Sequence, residues 1–240
     1  MALSDWQHNF ARLVTSPPGT PAHLTGELTG SERQWLMQLA DSQGFMVARL
    51  LQRRRRKECL REHARLTVSA AGRAGEADLV EAYLDSFPSP APLATLEAIR
   101  FLDMVQAHTE DHLVSSLAKF ERAIVDAAEE RMRRADDRTD PSIDPDVTLR
   151  LHPWRVIVMP ARAEDVIVSV ALGETLPLLD RNPVIVGPGL PSLWREASRA
   201  EDVVCSWLTR PRTMRDVARV FPGFEPAVQG LVNAGVVCLG

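Results

Sequence analysis

The final forty residues, "EDVVCSWLTRPRTMRDVARVFPGFEPAVQGLVNAGVVCLG" (Glu201–Gly240), decide how this chain is read. Apolar residues recur at helical spacing in three short segments, which predicts helices at about Arg199–Thr209, Met214–Arg219 and Phe224–Asn233. Pro and Gly punctuate the intervals, and Gly235 then opens a β-branched run that reads as a strand. Helix, turn, helix, helix, strand is the cadence of a winged helix-turn-helix. No second wing strand is expected after it.

A winged helix first suggests DNA, with the third helix lying in the major groove. That helix, "FEPAVQGLVNAG" (Phe224–Gly235), has no Lys or Arg and one Glu, so it does not neutralise phosphates. Only Gln229 and Asn233 offer groups for base edges. The nearby cations, Arg210, Arg212, Arg215 and Arg219, fall on the preceding turn and helix. The shape is that of a winged helix, with little DNA chemistry on it.

Upstream, "VTLRLHPWRVIVMPA" (Val147–Ala161), "DVIVSVAL" (Asp165–Leu172) and "PVIVGPG" (Pro183–Gly189) are β-branched runs bounded by turn residues, and all read as strands. Strands packed on a helical trio leave an edge that accepts an extended peptide as an added strand. The candidate groove lies between the Val184–Ser198 region and the helix starting at Phe224. Val184, Val186 and Leu193 are its strand-side candidates, with Trp194 as aromatic anchor. Phe224, Val228 and Leu231 line the other side, although a place in the small domain's own core is an equal alternative for Val228 and Leu231. "VIVGPGLP" lacks the later glycine and helix of a dinucleotide site and reads as a turn.

The first half reads as helical. Trp6, Phe10 and Leu13 share one helix face, and Ser31 with Gln34 forms a capping box ahead of Trp35, Leu36 and Leu39. Further helices are expected from about Phe45, over Leu79–Leu84, and from Leu93 to about Arg134. Leu113, Leu117, Phe120, Ile124 and Ala127 mark an apolar stripe on the last of these. "ADDRTDPSIDPD" (Ala135–Asp146) buries almost nothing and reads as a linker. The expected fold is therefore α+β: an all-helical domain over residues 1–140, then a small winged-helix-like domain with a short antiparallel sheet over residues 141–240. No internal repeat is visible.

Two polar motifs compete for a functional reading. "VQAHTEDHLVSS" (Val105–Ser116) places His108 and His112 four residues apart, one helical turn, which would put both imidazoles on one face. Glu110 and Asp111 fall on other faces, and two histidines do not complete a tetrahedral site. The bland reading, a solvated or interface-facing surface, is preferred. "RRRRKECLREHAR" (Arg53–Arg65) opens with five consecutive cations, which a helix spreads around its circumference. A solvated helix or an acidic protein partner fits this run better than nucleic acid.

Composition narrows the remaining classes. Among the 240 residues, 45% are hydrophobic and 25% charged, the net charge is −4, and no apolar run is long enough for a membrane span. The opening "MALSDWQHNFARLV" has no cationic leader or continuous apolar stretch. Cys59, Cys205 and Cys238 make neither a zinc spacing nor a disulfide framework, so a cytoplasmic location is expected. There is no GxSxG, phosphate loop or supported Cys/His pair, so no catalytic residues and no metal ligands are assigned.

Three stretches carry a family likeness. "LSDWQHNFARLVTSP" (Leu3–Pro17), with Gln7 and Phe10 three apart, resembles the opening helix of the helper subunits that accompany multinuclear non-haem iron oxidases in peptide natural-product maturation. "YLDSFPSPAP" (Tyr83–Pro92) is similar to that family's Pro-rich break, and "HLVSSLAKFERAIVDA" (His112–Ala127) to its long helix. The partners in methanobactin and 3-thiaglutamate biosynthesis are members. The C-terminal segment resembles a RiPP recognition element, the module that holds leader peptides. The resemblance implies a non-catalytic subunit of a heterodimer, whose helical domain (residues 1–140) docks on the partner barrel, with no cofactor in this chain and iron in that partner. The leader of a ribosomal precursor peptide would be held while its cysteine end meets the catalytic subunit. A winged-helix transcriptional regulator stands as the alternative, and a self-sufficient metalloenzyme as a distant third.

Overall fold

In a computed structural model the described residues are 3–16, 23–75, 78–87, 91–133, 143–174 and 181–240. They form α1 (Leu3–Thr15), α2 (Gly30–Ala40), α3 (Gln43–His63), α4 (Arg65–Arg73), α5 (Leu79–Ser86), α6 (Ala94–His108), α7 (His112–Arg133), β1 (Thr148–Leu151), β2 (Val156–Met159), α8 (Ala163–Leu172), β3 (Asn182–Val186), β4 (Trp194–Glu196), α9 (Arg199–Trp207), β5 (Arg212–Thr213), α10 (Met214–Val220), α11 (Glu225–Asn233) and β6 (Val237–Leu239). The class is α+β, with helices preceding two three-stranded antiparallel sheets. Among the described residues no helix is long and apolar enough to cross a membrane.

The chain divides into two compact units, Met1–Met104 and Val105–Gly240. The division expected near Asp140 falls on a residue outside those described, as does most of the aspartate-rich stretch around it. α7 belongs to the second unit, where it packs over β2 and β3.

In the first unit, Leu13, Leu36, Ala40 and Phe45 form a small core between α1, α2 and α3, edged by Trp6 and Phe10. The capping box of α2 is Thr29 with Glu32, two residues earlier than Ser31 with Gln34: each side chain of the pair bonds the other's backbone N–H. The basic run is largely neutralised within the unit. Arg53 pairs with Glu81 and Asp85, Lys57 with Glu81, Arg54 with Glu58, and buried Arg56 with Glu97 at 2.6 Å. Tyr83 donates its hydroxyl to the Glu97 carbonyl, and burial followed by that neighbouring carboxylate pushes its pKa up to about 12.

Sheet order in the second unit is β5-β1-β6 and β2-β3-β4. The first of these supplies the wing: β6 pairs with β1, so the second wing strand comes from Thr148–Leu151, well upstream of β6. β3 runs between β2 and β4, and Val184, Ile185 and Val186 are buried in succession on both faces. Ile185 joins Val204, Val217, Val228 and Leu231 in the core under α9, α10 and α11. Gly187 and Gly189 lie so close to the carbonyls of Ala234 and Asn233 that a Cβ at either would clash with backbone, which explains glycine on both sides of Pro188.

Two local expectations fail. "DVIVSVAL" lies in a helix, α8, and not a strand. Ala163, Val166 and Val170 bury one helical stripe, Glu164 and Asp165 sit in the first turn, and Gly173 closes it at φ 78°. Packing at period 3.6 overrides the β preference of its valines. The segment from Leu93 to Arg134 is also two helices, because Asp111 accepts from the Val114 N–H and starts α7 afresh.

Candidate peptide-binding edge

β4 is an edge strand, and the bonding around it fixes which of its groups face outward. Gly187 N–H donates to the Leu193 carbonyl at 2.8 Å, and Ala197 N–H to the Pro183 carbonyl at 2.9 Å. Between these lies the register pair Ile185–Arg195. In an antiparallel ladder bonded and non-bonded pairs alternate, so the Leu193 carbonyl, the backbone groups of Arg195 and the Ala197 N–H turn toward β3, while the Leu193 N–H donates to the Leu190 carbonyl in the turn. Trp194 and Glu196 turn theirs away from the sheet. The Glu196 carbonyl accepts from the Arg195 guanidinium at 3.0 Å. Among the described residues the two N–H groups and the Trp194 carbonyl have no backbone partner, a row that an extended chain can match.

Side chains alternate in the opposite sense. Arg195 lies across from Ile185, on the face of the helical trio, and donates twice to Glu201 of α9, at 2.8 and 2.6 Å. Burial opposes the Glu201 carboxylate, but bonds from Arg195 and Ser198 hold its carboxyl below the ordinary range. Glu201 also closes the α9 capping box with Ser198 and lies against Gly230 of α11. Trp194 lies across from Val186 on the other face, edge-on to Phe120 of α7 at 5.5 Å. The turn leading into β4 is braced by Arg131, which donates to the carbonyls of Pro188 (2.8 Å), Leu190 and Pro191. Leu193 has φ 66°, the left-handed region, so the turn meets the edge strand through a strained residue.

The seven candidate residues therefore separate. Val184, Val186, Val228 and Leu231 have no exposed surface and are core, with Val184 and Val186 on the central strand. They face no open groove. Phe224 stacks on Phe221, which meets Trp207 edge-on, about 9 Å along the helix from Gly230 by helical rise. Leu193 and Trp194 are half-buried at the edge, but Trp194 faces α7 and not α11. Arg195, Glu201 and Arg131 went unnoticed in the sequence. The Ser198–Glu201 spacing of a capping box was the available signal for the second of them.

Two polar clusters lie elsewhere in the second unit. His108 ends α6 and His112 begins α7, both exposed, so they flank a helix break and do not share one helical face. Asp126, Glu130 and His152 bring three possible ligand atoms within 4.8 Å of one another. The cation they surround is already supplied by the chain: fully buried Arg155 pairs with Asp126 at 3.2 Å and with Glu130, and donates to the Gly235 carbonyl at 2.7 Å. Burial, then Arg155 itself, lowers the His152 pKa. A metal ion would have to displace a guanidinium that also ties α7 to the wing. Burial and then Glu201 push the Cys205 thiol up to about 12, which disfavours its thiolate at neutral pH.

No family model, curated protein or solved structure matches the chain.

Proposed function

We propose that this chain is the non-catalytic subunit of a heteromeric, iron-dependent peptide-modifying oxidase, and that it holds the leader of a ribosomal precursor peptide along β4. The observation that carries this reading is the row of outward backbone groups at Trp194 and Glu196, beside a winged-helix trio whose third helix has no cation. Main-chain bonds along such an edge give affinity, while flanking side chains give specificity. Arg195 on one face and Trp194 on the other are the flanking groups here. Holding the leader raises the local concentration of the reactive cysteine at the iron centre of the partner. A DNA-binding regulator gains less support, since the third helix carries no cation and its Gln229 amide donates to Asn233 Oδ1 at 2.7 Å.

Calorimetric titration of the full chain with its precursor leader tests the reading. Glu196→Pro deletes one outward N–H, a change that edge strands tolerate. It is expected to weaken binding by about fivefold, the scale of one lost hydrogen bond, while Glu196→Gln binds like the parent. Equal binding by the proline variant with unchanged melting would remove β4 as the site.

A further inference from the structure

Helix α3 carries large apolar residues on both its inner and its outer side. The side turned into its unit carries Phe45, Arg49, Arg56 and Leu60, with both arginines less than a tenth exposed. Its solvent side carries Met46, Val47, Leu50 and Leu51, exposed by 45%, 49%, 55% and 60%. Burying guanidinium groups while exposing four large aliphatic side chains costs stability on both counts. A contiguous apolar patch of this kind marks an interaction surface.

The stripe continues toward the C-terminus of α3 as Arg54, Glu58 and Arg61, each one turn on. Arg54 is held by Glu58, whereas Arg55 and Arg61 have no carboxylate within ion-pair distance among the described residues. A second copy fits this face poorly. Two α3 helices crossing antiparallel at Leu50 would set Arg54 and Arg55 of each against the first turn of the other. That turn holds no acidic residue and is the positive end of the helix dipole.

We infer that the Met46–Leu51 face of α3 is a heterologous protein interface, fitted to a partner surface whose apolar patch is continued by carboxylates. The inference rests on the proposed reading that the chain works beside an oxidase subunit, and it assigns that subunit to this face. The face is independent of β4, so the two sites fail separately.

The test mixes purified full chain with the oxidase subunit and measures the affinity by sedimentation. Leu50→Asp with Leu51→Asp is expected to weaken the complex at least about 100-fold, as for central anchors. Melting and leader binding should match the parent, because both side chains already face solvent. Arg54→Glu with Arg55→Glu is expected to weaken it about tenfold at low salt and less at high salt. Undiminished binding by the double leucine variant overturns the inference. A parent chain that self-associates through these leucines, or that binds no oxidase subunit while still binding leader, overturns it as well. Loss of leader binding with the oxidase complex intact would overturn the β4 reading and leave this face standing.

Discussion

Arg195 on β4 and Glu201 on α9 share a two-point ion pair, 2.6 and 2.8 Å long, that ties the open edge strand to the helical trio. Glu201 is buried and Arg195 is partly exposed, so the two ends of the pair are not equivalent. Removing the arginine strands a buried carboxylate, whereas removing the glutamate leaves a guanidinium that water can solvate. Arg195→Ala is therefore expected to cost about 2–3 kcal/mol, the desolvation penalty of a charged group left unmade. The sign of the pH effect follows from the lowered Glu201 carboxyl. Its contribution is present above the ordinary glutamate value and is lost as pH falls through the folded value. In Arg195→Ala the acid unfolding midpoint should move to higher pH, which circular dichroism against pH measures.

His152 sets a second pH dependence near neutrality. Its folded pKa lies below the ordinary 6.5 because burial and then Arg155 disfavour the imidazolium. The unfolded chain takes up the proton first, so the contribution is complete above about 6.5 and declines as pH falls toward the folded value. Chemical denaturation from pH 8 to pH 5 should show this loss in the parent and a flatter profile in His152→Gln.

Arg155 is the keystone of the cluster with Asp126 and Glu130. Arg155→Met should destabilise the chain by about 3–5 kcal/mol, as expected when one partner of a buried pair is removed. Zinc should restore part of the lost melting temperature in this variant, since three ligand atoms would then lie within 4.8 Å with no guanidinium among them. The parent's melting temperature should be indifferent to zinc. A parent stabilised by zinc as strongly as the variant would mean that Arg155 does not guard the site.

The sequence made the helical trio legible because three short apolar periods are separated by Pro, Gly and capping residues, and α9, α10 and α11 fall within about two residues of their expected bounds. It misled where local composition and tertiary packing disagree. The valines of α8 score as strand, yet Gly173 and the buried stripe at Ala163, Val166 and Val170 make a helix. The pairing that completes the wing was not legible, because β1, although read as a strand, meets β6 across more than eighty residues of chain, beyond any local pattern. The candidate groove residues separated for a similar reason. An apolar residue on a strand is equally suited to core and pocket, and only the pairing partner shows that Val184 and Val186 lie centrally while Trp194 lies at the rim. Buried arginines such as Arg155 and Arg49 carry no sequence signature, since arginine is ordinarily a surface residue.

Amide hydrogen exchange of the isotopically labelled chain, with and without leader peptide, tests the β4 edge most directly. Trp194 and Glu196 present outward N–H groups, whereas Arg195 and Ala197 are already bonded to β3. The account predicts new protection at Trp194 and Glu196 alone, with Arg195 and Ala197 unchanged. Protection that appears instead along α11, or equally at all four residues, would contradict strand addition at β4.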